Sequence, residues 1–180
     1  MYPLFRLVRT YILARGAWKL NVEETHLETL RVWPWDIDVF MELNNGRMLT
    51  LMDLGRFGYF IRNGITTKLS KNGWYGTVAG TAVRYRRRIT VFQKLELHTR
   101  VLGWDERFTY IDQSFWRGEE CCAQAVIRTA IADGKGIVPT EQVAELLGYP
   151  KESPPLPDWV QAWAKAETQR PWPPKHFLRL

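Results

Sequence analysis

Between Trp35 and Arg47 the chain gathers Asp36, Asp38, Glu42, Asn44 and Asn45, followed by Gly46. A carboxylate can attack a carbonyl carbon or hold a water as general base. An asparagine ahead of a long apolar run can cap the start of a helix. The first amides of that helix, about Asn45, Gly46 and Arg47, then have no partner inside it and can stabilise a developing oxyanion. Gly46 lacks a Cβ, so a substrate oxygen can come close to its backbone. From spacing alone, the plainer reading of Asp36 and Asp38 is that both cap turns or pair with arginine. Glu42 reads first as a solvated loop residue, and otherwise as a second carboxylate.

A second cluster is Arg84, Arg86, Arg87 and Arg88. On a continuous strand Arg84, Arg86 and Arg88 share one face, and Val83, Tyr85 and Arg87 the other. Guanidinium groups in a row can grip phosphates bidentately. The plainer reading is a solvated face, or pairing with acidic residues across the sheet. Lys68 and Lys71 are weaker anion ligands. A net charge of +6 points the same way, to nucleic acid, a membrane surface or a phosphorylated small molecule. Arginine-aromatic interleaving around Tyr85 makes a nucleic-acid-binding module a remoter alternative, but no recognised binding motif is present, so no nucleic-acid partner is expected.

The elements that must position these residues follow from periodicity. The chain has 180 residues, 46% of them hydrophobic, which suits one packed domain. Residues 1–25 read as a basic amphipathic helix, Pro3 to Gly16, and a linker. Leu4, Val8, Tyr11 and Ile12 form its stripe, with Arg6 and Arg9 off it. That stripe is expected to pack on the domain, a peripheral membrane contact being the sharper alternative. Residues 26–148 form the main domain. It opens with a strand from His26 to Trp33 and continues with a helix from Gly46 to Asn63 that is apolar on almost every side. Such a helix must be buried, so something must wrap it. Four long strands follow, about Trp74 to Ile89, Lys94 to Trp104, Phe108 to Trp116 and Glu120 to Ala132. Their tight connections imply an antiparallel meander. Residues 149–180 form a proline- and tryptophan-rich appendage with one short helix. Cys121 and Cys122 are adjacent and ill-placed for a mutual disulfide, no metal-ligand spacing occurs, and no secretory pattern is seen. A cytoplasmic protein is expected.

With these residues in view, VWPWDIDVFMELNNGRMLTLMDLGR resembles the opening motif of the hot-dog acyl-CoA thioesterases, and YRRRITVFQKLELHTRVLGW resembles the strand pair after their central helix. The similarity runs from about Leu30 to Leu147. It is of the 4-hydroxybenzoyl-CoA thioesterase type and is nearest the thioesterase superfamily member 6-like branch. The resemblance implies an α+β hot-dog fold: a curved antiparallel sheet wrapped around a long central helix, with short terminal helices. It implies hydrolysis of an acyl-CoA thioester, with coenzyme A as part of the substrate and no separate cofactor. It also implies a homodimer, or a tetramer, with sites between subunits. Asp38 matches the family's catalytic aspartate, and Asp36 stays structural. The amides of Asn45, Gly46 and Arg47 would hold the oxyanion, and Arg84, Arg86, Arg87 and Arg88 the coenzyme phosphates. Many relatives carry a histidine two residues before the Asn-Asn pair, where this chain has Glu42. That departure leaves a non-catalytic acyl-CoA or acyl-carrier-protein binder as the alternative. His26, His98 and His176 lie outside the motif.

Overall fold

The computed structural model describes residues 3–174, so His176 lies outside the described residues. Helix α1 (Leu4–Gly16) leads to strand β1 (His26–Arg31), a 3-10 turn (Pro34–Asp36) and the central helix α2 (Asn45–Arg62). A short helix α3 (Ile65–Lys71) precedes strands β2 (Tyr75–Tyr85), β3 (Lys94–Trp104), β4 (Thr109–Arg117) and β5 (Glu120–Ala132). Helices α4 (Thr140–Leu147) and α5 (Asp158–Gln169) end the described chain. The five strands form one antiparallel sheet in the order β1-β3-β4-β5-β2. This is the α+β hot-dog arrangement that the sequence implies.

The core lies between α2 and the sheet. Met48, Leu51, Met52 and Leu54 of α2 meet Leu95 and Leu97 of β3, Ile111 and Phe115 of β4, and Ala123, Ala125 and Ile127 of β5. Gly55 lets the helix sit close, since a Cβ there would fall 2.4 Å from Cδ2 of the fully buried Leu97. One turn on, a Cβ at Gly58 would lie 2.8 Å from Nε2 of His26. The helix starts at the Asn44 cap and stops at Asn63, with Gly64 in the left-handed region at φ 72°. That glycine also opens α3, in a segment whose sequence reads as loop.

The outer face of the sheet is covered by the chain's end. Val160 of α5, with Leu156 and Trp163, packs on Phe108, Tyr110, Val126 and Ala130. Ser153 Oγ accepts a hydrogen bond from the Trp104 amide at 2.8 Å, and Gly103 leaves room for that crossing.

Two expectations need correction. Strand β2 ends at Tyr85 and not near Ile89, because the Arg86 and Arg87 amides both donate to the Cys122 carbonyl, at 2.9 and 3.0 Å. Two amides on one acceptor break the alternation, so Arg84, Arg86 and Arg88 do not form a row on one strand face. Helix α1 does pack on the domain, but its Leu4, Val8, Tyr11 and Ile12 stripe is exposed. Arg6, Leu7, Thr10 and Ala14 turn inward instead. Asp36 demands a cation there, and Glu28 takes the Thr10 hydroxyl.

His26 is buried beneath α2, and its Nδ1 lies 3.0 Å from Nη1 of Arg62. Arginine can only donate, so Nδ1 is the acceptor and the proton sits on Nε2. Burial, and then the Arg62 charge, push the His26 pKa down to about 4. The unfolded chain takes up this proton near pH 6.5 while the folded chain refuses it. Stability is therefore expected to fall as pH drops from about 6.5 to about 4, by roughly 3 kcal/mol in all. Urea unfolding across that range should show the slope, and His26→Gln should flatten it; an equal slope in both proteins contradicts this account.

Candidate active site

The segment from Trp33 to Asn44 folds back on itself and delivers a carboxylate to the start of α2. Asp36 Oδ2 accepts the Trp33 amide at 2.9 Å, closing the first turn. Ile37 then bridges Leu43, and the Asp38 amide donates to the Glu42 carbonyl at 2.8 Å. The loop closes through Met41, at φ 60°, whose amide donates to the Asp38 carbonyl at 3.1 Å. The Leu43 amide donates to the Ile89 carbonyl at 2.7 Å, and the Asn44 amide to the Asp36 carbonyl at 2.9 Å. Asp38 is thus fixed at the root of the loop, opposite Glu42 and two residues in sequence past the Asp36 that holds the Asn44 cap.

Its side chain is fixed as well. Oδ1 accepts the Phe40 amide at 2.9 Å and faces the Glu42 amide at 3.5 Å. Asp38 is half-buried, and its carboxylate has a second oxygen beyond the one in the turn. The turn-capping reading therefore holds, and it leaves acceptor capacity for a further partner.

At the helix start, Asn44 Oδ1 accepts the Arg47 amide at 3.1 Å. A Cβ on Gly46 would press against that oxygen at 3.3 Å, which explains the glycine. Of the three amides expected to face a substrate, Arg47's is taken by the cap. Those of Asn45 and Gly46 are the first two of the helix and have no intrahelical acceptor; both residues are exposed. The Arg47 side chain turns to Asp36, Nε to Oδ1 at 3.4 Å.

Glu42 and the arginines are brought together in part. Arg88 Nε pairs with Glu42 at 2.7 Å, and Arg88 Nη2 donates to the Phe40 carbonyl at 3.2 Å. Arg87 pairs with Glu120 at 2.6 Å, and Arg117 makes a short hydrogen bond to the same carboxylate. Arg84 and Arg86 are exposed and make no ion pair among the described residues.

A second polar group went unread in the sequence. An apolar cavity of about 470 Å³ lies among α2, α3, α4 and the sheet, lined by Phe57, Phe60, Ile65, Leu69, Ile111 and Val143. Asp53 and Arg56 are the charged residues in its lining. Arg56 Nη2 donates to Asp53 at 2.8 Å, and Nη1 to Gln113 Oε1 at 2.7 Å. Gln113 Nε2 donates in turn to the Met52 carbonyl at 2.8 Å and Thr99 Oγ1 at 2.9 Å. The signal was an Asp and an Arg three positions apart inside an otherwise apolar helix, which must be paired if buried. Asp53 lies about 12 Å along the helix from Asn45. Asp38 is not in the cavity lining.

The sequence profile of the thioesterase-like superfamily matches residues 32–164, which includes the Asp38 loop, α2 and the whole meander. The chain belongs to the thioesterase-like superfamily. It is 28% identical to the protein THEM6 of Xenopus laevis over 172 residues, covering 90% of this chain and 83% of that protein. The YbaW probable thioesterase of Escherichia coli shares the fold at a TM-score of 0.64 and 17% identity, covering 68% of this chain and 96% of that one. Slr0204 of Synechocystis, a 1,4-dihydroxy-2-naphthoyl-CoA thioesterase, superimposes at a TM-score of 0.59 and 10% identity, over 69% of this chain and 95% of its own.

Asp36 has no exposed side-chain surface and is held between Arg6, at 2.5 Å, and Arg47. Asp36→Ala would leave the largely buried Arg6 guanidinium without its carboxylate. The expected loss is about 3–5 kcal/mol, read from urea unfolding. A loss below about 1 kcal/mol, the size of an exposed pair, would contradict this reading.

Proposed function

We propose that the chain hydrolyses acyl thioesters of coenzyme A, with Asp38 as the working carboxylate. The observation that carries this reading is the tethered Asp38 side chain at the root of a loop that closes onto the open amide end of α2. Membership of the superfamily supports thioester chemistry, and the activity named for Slr0204 illustrates it on this fold.

In this reading the thioester carbonyl oxygen accepts hydrogen bonds from the Asn45 and Gly46 amides. Charge that builds on it in the tetrahedral state then meets two fixed donors and the positive end of a helix. Asp38 either attacks the carbonyl carbon or takes a proton from a water that does. When water attacks, collapse breaks the C–S bond and the proton taken by Asp38 passes to the departing thiolate. When Asp38 attacks, the same collapse leaves an acyl–Asp38 anhydride, and the water that hydrolyses it supplies the proton for the thiolate. Net, one water is consumed to give a carboxylic acid and the free thiol. Arg84 and Arg86 suit the coenzyme phosphates, with Arg87 and Arg88 held nearby by Glu120 and Glu42. Arg88 occupies Glu42, which argues against its use as a second carboxylate.

A homodimer fits this reading. Strand β2 lies at the sheet edge, with Tyr75, Val78 and Tyr85 exposed. Unpaired edges invite pairing with a second copy. Tyr75 to Val78 also line the cavity, so antiparallel β2–β2 pairing would cover its flank. A reducing, cytoplasmic setting is kept as part of the proposal.

One observation favours a second reading. The apolar cavity suited to an acyl group is lined by Asp53 and not by Asp38, so the carboxylate at the reacting carbon would be Asp53. Turnover of an acyl-CoA panel by the native chain, Asp38→Asn and Asp53→Asn separates them. Asp38→Asn is expected to cost about a hundredfold or more in kcat with its melting temperature kept. Asp53→Asn should mainly shift KM and acyl preference. Full turnover in Asp38→Asn overturns the proposal, and binding without turnover in the native chain makes it a carrier.

A further inference from the structure

Helix α1 is built inside out. A surface helix of a soluble domain ordinarily buries its apolar stripe and shows water its charged one. Here the inward side, beside Leu7 and Ala14, carries Arg6, bonded to Asp36 and to the Arg31 carbonyl, and Thr10, bonded to Glu28 at 2.8 Å. The outward side carries Leu4 at 65% exposure, Phe5 at 85%, Val8 at 56% and Ile12 at 63%. At 3.6 residues per turn these four fall within one arc of about 100°. No part of the described chain covers them.

The patch continues beyond the helix. Trp33 stacks on Trp35 with ring centroids 5.7 Å apart, and Phe92 meets Trp33 edge-on at 6.1 Å. Leu4, Phe5 and the two tryptophans share a cleft of about 990 Å³ whose lining includes Leu51 and Leu54. Cations fringe it. Arg9, Arg31 and Lys94 line the same cleft, and Arg15 lies over the Tyr11 ring at 5.3 Å. The carboxylate among them, Glu28, accepts from Thr10 and lies 3.8 Å from Arg9. Lys19 and the fully displayed Trp18 follow the helix directly.

We propose that the outer face of α1, with Trp33 and Trp35, docks on an anionic lipid surface. Apolar side chains with interfacial tryptophans and a fringe of Arg and Lys are the pattern of a helix lying in the headgroup layer. The charge chooses the occupant: a patch whose cations outnumber its single carboxylate, Glu28, on a chain of net charge +6, is matched by anionic headgroups. The helix lies flat. Its 13 residues span about 20 Å against a hydrocarbon core of about 30 Å, and no helix among the described residues is long and apolar enough to cross a membrane. Docking leaves dimerisation free, because α1 packs by β1, at the sheet edge opposite β2.

The test is co-sedimentation of the full chain with vesicles of phosphatidylcholine and phosphatidylserine, beside vesicles of phosphatidylcholine alone. The native chain is expected to sediment with the mixed vesicles and to be released by salt. Phe5→Glu with Ile12→Glu should weaken that binding by at least about tenfold, at an unchanged melting temperature since both residues face water. A native chain that stays in the supernatant overturns the proposal, as does equal binding by the double variant. If the double variant instead breaks a native oligomer seen by light scattering, the face joins copies of the chain and the proposal also fails.

Discussion

Asp36 is a carboxylate with no exposed side-chain surface, and a charge so placed must be answered by cations and donors. Its answers come from three separate stretches of chain: Arg6 on α1, the Trp33 amide in the preceding turn, and Arg47 in the first turn of α2. Its own carbonyl takes the Asn44 amide, so the same residue also sets where α2 begins. Oδ1 makes no hydrogen bond among the described residues and is met by the Arg47 charge at 3.4 Å. With that knot tied, the loop from Ile37 to Leu43 has both ends fixed, and Asp38 is held at its root.

The same demand explains α1. A helix that must send Arg6 inward to Asp36 is rotated so that Leu4, Phe5, Val8 and Ile12 face out. Its exposed apolar side is the counterpart of a buried ion pair. The two clefts therefore belong to opposite sides of α2. One is the apolar cavity toward β2 and α4, with Asp53 and Arg56 in its lining and Gln113 hydrogen-bonded behind them. The other is the open cleft between α1 and the tryptophans.

Much of the fold was legible from local pattern. The central helix announced itself by an apolar run bounded by Asn44 and by Asn63-Gly64, and the meander by long strands with tight turns. What stayed hidden depends on partners far along the chain. The end of β2 at Tyr85 is set by the Cys122 carbonyl, which takes two amides that strand alternation would have sent apart. The rotation of α1 follows from Asp36, thirty residues on from Arg6. Arg87 and Arg88 look like one basic row, yet each has a carboxylate partner, Glu120 and Glu42, that only the folded chain brings near. Asp38 needed the motif as a whole, since its turn-capping contacts with the Phe40 and Glu42 amides are open to any loop aspartate. Asp53 and Arg56 were visible as interruptions of an apolar helix, but the cavity they line is a property of packing.

The central claim concerns where a thioester carbonyl sits relative to Asp38 and the first amides of α2. A crystal structure of the full chain with a non-hydrolysable thioether analogue of an acyl-CoA, carrying a ketone at the carbonyl position, tests it most directly. The account predicts the ketone oxygen within about 3 Å of the Asn45 and Gly46 amides and an Asp38 oxygen within reach of the same carbon or of a water beside it. A ketone lodged against Asp53 inside the cavity, with Asp38 turned to solvent, would contradict it.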